Sequence, residues 1–385
     1  MSSTQSQAVI FIPGIKGTTL VNTNRANHDT IWSAIQSEFE EIEMLELSFD
    51  KQGNAVDSWP ETLINPGELE SLAYSEFLRD INKNKPIYLF NYDWRQTSLS
   101  NTIRLQAFMD MLIRKSKSSS LFKQAIKRFD IVTHSHGSAI SRQLTKRESF
   151  KRIGKIVLVT PPLEGALDTV DVVLTGEGFM PGVSAKIRKL IRTFPGALEL
   201  LPRYHSALFD DNTIVDFFNY NHWQSNITNP TNSHAVKFKK ALHFAKQSVA
   251  ELDDWSTLRK PLRDRILIIA RDGYKTAQSV KVIKESSEPD NFVQLDNIRY
   301  TKSGDGRVPH ASSCLWYDKI TTLMASDSWR YRDYGHALVL KDERIQKIIR
   351  RFLSDEQTFT WNIPGRSIKQ VTGLKGFDAE VENTK

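Results

Sequence analysis

The sequence predicts an α/β fold: a mostly parallel sheet flanked by helices, with a mainly helical insertion. Two observations predict it. Continuous apolar, β-branched runs alternate with helical periodicity, the pattern of buried strands joined by helical crossovers. The stretch 163–261 breaks that rhythm, being rich in aromatic and apolar residues without a strong buried strand.

The elements follow in order. "AVIFIPG" (8–14) is an apolar run stopped by Pro-Gly and reads as a buried strand. "PIYLFNYDW" (86–94) reads as a second strand. From Ser100 to about Lys115, Leu105, Phe108, Met109 and Leu112 fall on one helical face. "RFDIVTHS" (128–135) is a third strand, followed after Gly137 by a helix carrying Ile140 and Leu144. "KIVLVTPP" (155–162) and "RILIIARDG" (265–273) are the fourth and fifth. Ile345, Ile348, Ile349 and Phe352 share one face of a last helix. These give a core of 1–162 and 262–355, an insertion of 163–261, and a tail of 356–385 expected to be loosely ordered.

Composition narrows the classes. The 385 residues suit two or three domains or one large core with insertions, at about 100–200 residues per domain. Net charge is +7, but the basic residues are scattered and form no recognition motif, so no nucleic-acid partner is expected. The lone Cys314 allows no internal disulfide and suits a reducing compartment. "MSSTQSQAVIFIPG" lacks the features of a signal peptide, and no apolar run is long enough to cross a bilayer. The expected location is therefore cytoplasmic or peripheral to a membrane.

The chemistry centres on "THSHG" (133–137), between a buried strand and a helix. A serine at such a turn can be a nucleophile whose strained backbone exposes its hydroxyl. The turn needs small residues two before and two after Ser135; Gly137 fits and Thr133 is larger than usual. The rival reading makes His134 and His136, which share a strand face, a metal pair. Two ligands are not a site, and no third donor stands nearby in sequence. A plainer reading packs His134 beside the turn. No metal or cofactor is expected.

A serine nucleophile needs a histidine base oriented by a carboxylate, in the order serine, acid, histidine. His336, in "YGHALVL" just before the last helix, is the candidate base. The acid is Asp305 in "SGDGRVPHASS" or Asp272 in "ARDGYKT"; each could instead be an ordinary Asp-Gly turn. The Ile15 N–H in "IPGIKGTTL" and the His136 N–H are the candidate oxyanion donors.

With these residues in place, the chain resembles the lecithin:cholesterol acyltransferase-like family of α/β-hydrolases, which includes lysosomal phospholipases A and phospholipid:diacylglycerol acyltransferases. "VIFIPGIKGTTL" is similar to the family's oxyanion block, "FNYDWRQ" to its F-x-Y-D-W-R segment and "THSHGS" to its elbow. "TPPLEG" resembles its T-P-x-x-G, "SGDGRVPHASS" its acid loop, "GHALVL" its histidine segment, and "FPGALELLP" a lid segment of bacterial members. The resemblance implies the α/β-hydrolase fold and favours Asp305 over Asp272. It implies acyl transfer through an acyl-serine on a lipid-like ester, to water or an alcohol. Thr133, Ser138 and Arg307 depart from the family pattern, and the disulfide-bounded lid of extracellular members cannot form. The alternative is a catalytically silent homologue that binds a lipid or a partner.

Within the insertion, "LTGEGFMPG" (174–182) offers glycines and the apolar tip Phe179–Met180. In "AKIRKLIRTF" (185–194), Ile187, Leu190, Ile191 and Phe194 share a face away from Lys186, Arg188, Lys189 and Arg192. These make Phe179, Met180, Ile187 and Ile191 candidate lid or substrate residues. A basic amphipathic helix can lie on an anionic membrane surface, or pack on the core with its charges in water. The two readings place the apolar face oppositely.

Overall fold

The computed structural model describes residues 7–25, 29–34, 41–51, 54–83, 85–118, 125–178, 184–229, 231–282, 298–326, 334–354 and 368–372. Seven strands form the central sheet: β1 (Gln7–Ile12), β2 (Ile87–Leu89), β3 (Arg128–His134), β4 (Ile153–Val159), β5 (Ile266–Arg271), β6 (Thr321–Ala325) and β7 (Ile368–Gln370). Their order across the sheet is β2-β1-β3-β4-β5-β6-β7. All pairs are parallel except β6 with β7.

Both faces of this sheet are covered, and alternation along β1 shows how. Ala8, Ile10 and Ile12 join the core beneath α2 (Ser98–Ser118), α3 (Gly137–Glu148) and the insertion. Val9 and Phe11 join the core beneath α1 (Ser71–Asn82), the 3-10 turn His336–Lys341 and α7 (Glu343–Leu353). Successive side chains of a strand point to opposite faces, so a strand buried on both sides reads as an unbroken apolar run. The last helix buries Ile345, Ile348 and Ile349 as expected, while Phe352 stays partly exposed against the same core.

Three features differ from the sequence reading. "PIYLFNYDW" is a strand only over Ile87–Leu89; beyond it the chain leaves the ladder as a buried loop. β6 and β7 escaped notice because "TTLMA" is short and begins with two threonines, and "IKQ" contributes one edge. The tail is thus not wholly loose: Ile368–Gln370 pairs antiparallel with β6. An antiparallel sheet of Thr18–Asn22, Asp29–Trp32 and Ile64–Leu69 also forms between β1 and α1. The insertion carries α4 (Asp168–Thr175), α5 (Ser184–Ile191) and α6 (Ser233–Ala250). Its strand Ala207–Phe209 pairs with Thr276–Val282 outside the central sheet.

The buried loop after β2 has a structural task. The Arg95 guanidinium donates to Asp93 from Nε at 3.0 Å and Nη2 at 2.8 Å. It also reaches Asp57 at 2.9 Å and the Leu45 carbonyl at 2.9 Å. The Arg95 carbonyl accepts the Gly196 N–H of the insertion at 2.9 Å. One buried arginine therefore joins the loop, the region before α1 and the insertion.

Removing one partner of a buried pair strands the other charge. Arg95→Ala should lower unfolding stability by about 3–5 kcal/mol in chemical denaturation. Lys186→Ala, which removes a half-exposed pair with Glu43, should cost less than about 1 kcal/mol.

Candidate active site

The elbow sits where β3 meets α3. Ser135 has φ 51°, a left-handed conformation rare for a residue with a side chain. Its N–H is held by the Val159 carbonyl at 3.0 Å. A Cβ on Gly137 would lie 2.7 Å from the carbonyl oxygens of both Ile12 and Pro13, so only glycine fits there. Thr133 does not obstruct the turn. It stays in the ladder opposite Ile12 and Leu158, fully buried, with no hydrogen-bond partner for its hydroxyl among the described residues.

Three distant parts of the chain meet at this serine. His336 Nε2 lies 2.8 Å from Ser135 Oγ, and His336 Nδ1 lies 2.7 Å from Asp305 Oδ2. A carboxylate oriented in this way accepts a hydrogen bond from Nδ1–H, which leaves Nε2 to accept one from the serine hydroxyl. The His336 N–H also donates to the Asp305 carbonyl at 3.0 Å. Asp305 Oδ1 accepts the N–H groups of Arg307 at 2.9 Å and Val308 at 2.7 Å. Burial alone would raise the Asp305 carboxyl, but His336 and these donors outweigh it and hold it below its usual range.

Asp272, the other candidate acid, has different neighbours. No hydrogen bond joins Asp272 to His336 among the described residues; its charge acts on His310, whose ring bonds the Arg271 carbonyl. The loop carrying His336 is fixed from below. Asp342 caps α7 and accepts Arg271 Nη1 at 2.9 Å from the end of β5, with every charged atom buried.

The two flanking histidines do not converge. His134 Nδ1 lies 2.8 Å from the Tyr74 hydroxyl and its Nε2 lies 2.9 Å from the His336 carbonyl oxygen. His136 Nδ1 lies 3.2 Å from the Tyr92 hydroxyl and its Nε2 lies 2.9 Å from Glu199 in the insertion. Each ring uses both nitrogens on separate protein partners, which removes the basis for a shared metal. Neither the Ile15 nor the His136 backbone N–H has a protein acceptor among the described residues.

A cavity of about 620 Å³ opens beside Ser135 and His336. Ala166, Val172, Ile191, Leu200 and Leu338 give it apolar walls. Ile15 and Ile191 line it; Ile187 does not, and packs in the main core instead. Phe179 and Met180 lie outside the described residues. The apolar face of α5 is buried, Lys186 pairs with Glu43, and Arg192 donates to the Val173 and Leu174 carbonyls. That is the arrangement of a helix packed on the core.

Sequence reasoning passed over several residues at this site. Tyr74 lies on α1, a helix that the sequence reading did not single out. Glu199 sits inside the recognised "FPGALELLP" block, yet its pairing with the elbow depends on folding. Lys16 had a signal, since it directly follows the oxyanion candidate Ile15. Lys16 also lines the cavity, with left-handed backbone at φ 63°. Arg307 reaches across to Asp168 and donates to the Gly178 carbonyl at 2.8 Å.

A mostly parallel sheet with a strained serine after its third strand, a late carboxylate and a histidine before the last helix defines the α/β-hydrolase fold. A family model for lecithin:cholesterol acyltransferase matches residues 78–295. The chain belongs to that family. No curated protein sequence matches it. Among solved structures, a chain of the Tle4–Tli4 complex is similar at 14% identity, covering 93% of this chain and 100% of that one, with TM-score 0.61. Phospholipase PlaB from Legionella pneumophila matches at 11% identity over 90% of this chain and 60% of its own, with TM-score 0.33. The Staphylococcus hyicus lipase matches at 10% identity over 92% and 97%, with TM-score 0.36. At such identities the likeness to the Tle4–Tli4 chain is one of fold. No helix of the described residues is long and apolar enough to cross a membrane.

Burial, and then Arg307, push the Lys16 ammonium down from 10.5 to about 8, with Asp168 opposing. A lysine whose folded pKa is depressed binds fewer protons folded than unfolded between the two values, so stability rises with pH there. The folding stability of wild type relative to Lys16→Met should therefore increase as pH rises from about 8 to about 10.5. Denaturant titrations of both proteins across that range read it; a flat difference would show Lys16 solvated as in the unfolded chain.

Proposed function

We propose that the chain is a serine acyl-ester hydrolase or acyltransferase of lipase type, working through an acyl-serine. The observation that carries this is the hydrogen-bonded line from Ser135 Oγ through His336 to Asp305, at 2.8 and 2.7 Å. His336 Nε2 takes the hydroxyl proton as Ser135 Oγ attacks the acyl carbonyl. The Ile15 and His136 N–H groups receive the developing oxyanion. As the intermediate collapses, the ester's C–O bond breaks and His336 returns the proton to the departing alcohol. Water or an acceptor alcohol then gives its proton to His336 and attacks the acyl carbon; the bond from that carbon to Ser135 Oγ breaks, and His336 returns the proton to the serine oxygen. Asp305 holds the imidazole in the required tautomer and stabilises its charged form.

The family membership supports the same class of reaction. The apolar cavity beside Ser135 supports a lipid-like acyl group as the substrate's reacting part. We take 163–261 as a cap on a core formed by 1–162 and 262–355, with 356–385 as a tail. The cap's Ile191 faces the cavity. The packed α5 gives no support to docking on an anionic membrane through its apolar face.

A fluorophosphonate probe tests the reading, because it labels only an activated serine. Wild type should be labelled, while Ser135→Ala and His336→Ala should take no label and lose at least about 1,000-fold in ester hydrolysis. Asp305→Asn should lose about 10,000-fold, and Asp272→Asn should stay within about threefold of wild type. A folded wild type that takes no label would point to the silent, lipid-binding homologue.

A further inference from the structure

We infer that His134 is a positioning residue, whose ring ties the backbone of the catalytic histidine to the oxyanion loop. The inference rests on the triad reading above. It starts from strand geometry. His134 shares a face of β3 with Val132, which packs in the core beneath α1 and α7. That face also receives the 3-10 turn beginning at His336.

The directions of the hydrogen bonds follow from the groups. The His336 carbonyl can only accept, so His134 donates from Nε2–H at 2.9 Å. His134 is buried against Tyr74 and His336, and burial, then the charge of His336, push its imidazolium down to about 3. A neutral ring with the proton on Nε2 must accept at Nδ1, so the Tyr74 hydroxyl donates there at 2.8 Å. The Tyr74 oxygen in turn accepts the Gly14 N–H at 3.3 Å. The chain of bonds is therefore directional: Gly14 N–H to Tyr74, Tyr74 O–H to His134, His134 Nε2–H to His336.

Its ends are the two groups whose placement decides catalysis. Gly14 precedes the oxyanion candidate Ile15, and a Cβ there would lie 3.0 Å from Ser135 Cβ and 3.1 Å from His134 Nδ1. His336 carries the base. A misplacement of about 1 Å between reacting groups can cost about 100-fold in rate. A planar ring with one donor and one acceptor spans the gap without free rotors. Packing alone would not demand that both nitrogens be satisfied in this order.

Two substitutions separate positioning from packing. The amide nitrogen of His134→Gln reaches the place of Nε2 and keeps the donor to His336. His134→Asn reaches only the place of Nδ1 and keeps Tyr74 while losing His336. Against a soluble short-chain ester, His134→Asn should lower kcat about 10–100-fold with KM within about twofold, and His134→Gln should recover most of that loss. Equal kcat for the two variants, or a loss carried by KM, would overturn the inference. Independently, 15N imidazole spectra of wild type should show His134 as the Nε2–H tautomer, with a slowly exchanging ring proton, from about pH 5 to 9; an Nδ1–H tautomer would overturn it too. Fluorophosphonate labelling of wild type separates the two layers. If that label is absent, the triad reading fails and takes the inference with it. If it is present and Asn equals Gln, only the inference fails.

Discussion

Everything at the candidate site depends on one constrained residue. Ser135 stands at φ 51°, between a paired, buried strand and a helix that begins at once. A single residue in the left-handed region costs of order 1–3 kcal/mol, and it persists only where its surroundings over-determine it. Here β3 is paired on both sides, with β1 and with β4. The Ser135 N–H is held by Val159, and Gly137 lies against the carbonyls of Ile12 and Pro13. Replacing that glycine would push the first turn of α3 away from β1, and the hydroxyl would leave the cavity mouth. The parallel sheet therefore acts as the clamp that keeps a strained serine in place.

A clamp at the serine is useful only if its partners are equally fixed. Asp305 is buried and bonded by two backbone N–H groups of its own loop, so its carboxylate has little freedom. His336 is held at its N–H by the Asp305 carbonyl, at its carbonyl by His134, and at Nδ1 by the Asp305 side chain. Below it, the buried Arg271–Asp342 pair ties the end of β5 to the start of α7. Such a pair is weak evidence for net stability, since desolvating both charges offsets their attraction. Its geometric effect is clear: it fixes where the 3-10 turn carrying His336 leaves the core.

The parts legible in the sequence were those with a period or a motif. β1, β3, β4 and β5 read plainly because burial on both faces makes unbroken apolar runs. α7 read plainly because its buried isoleucines recur at helical spacing. Ser135 and His336 were proposed from chain order and Asp305 from resemblance to an acid loop, and the three side chains stand within hydrogen-bonding distance, one to the next. The misses share a physical reason. β6 and β7 are too short for a periodic signal, and their identity as strands comes from pairing with a distant partner. Tyr74 and Glu199 have no local signature, because what they bond to lies about 60 residues away along the chain. Thr133 looked like a defect because the elbow pattern asks for a small residue there. In the structure it belongs to the strand, and the crowding falls on Gly137 and Gly14 instead.

The two histidines around the serine show how one local rule divides a site between neighbours. Strand alternation sends the His134 ring to the face of α1 and the His336 turn. Past the sharp turn, the His136 ring enters the opposite core, where Tyr92 and Glu199 receive it. Glu199 also accepts the Ser98 N–H at the start of α2, through both carboxylate oxygens. The residue that follows the serine is thereby anchored to the insertion and to α2. The residue that precedes it is anchored to α1 and to the turn that carries His336. A serine whose own backbone is strained is thus braced from both layers of the fold. A shift of either layer against the sheet would reach the hydroxyl through a histidine before it reached it through the strand.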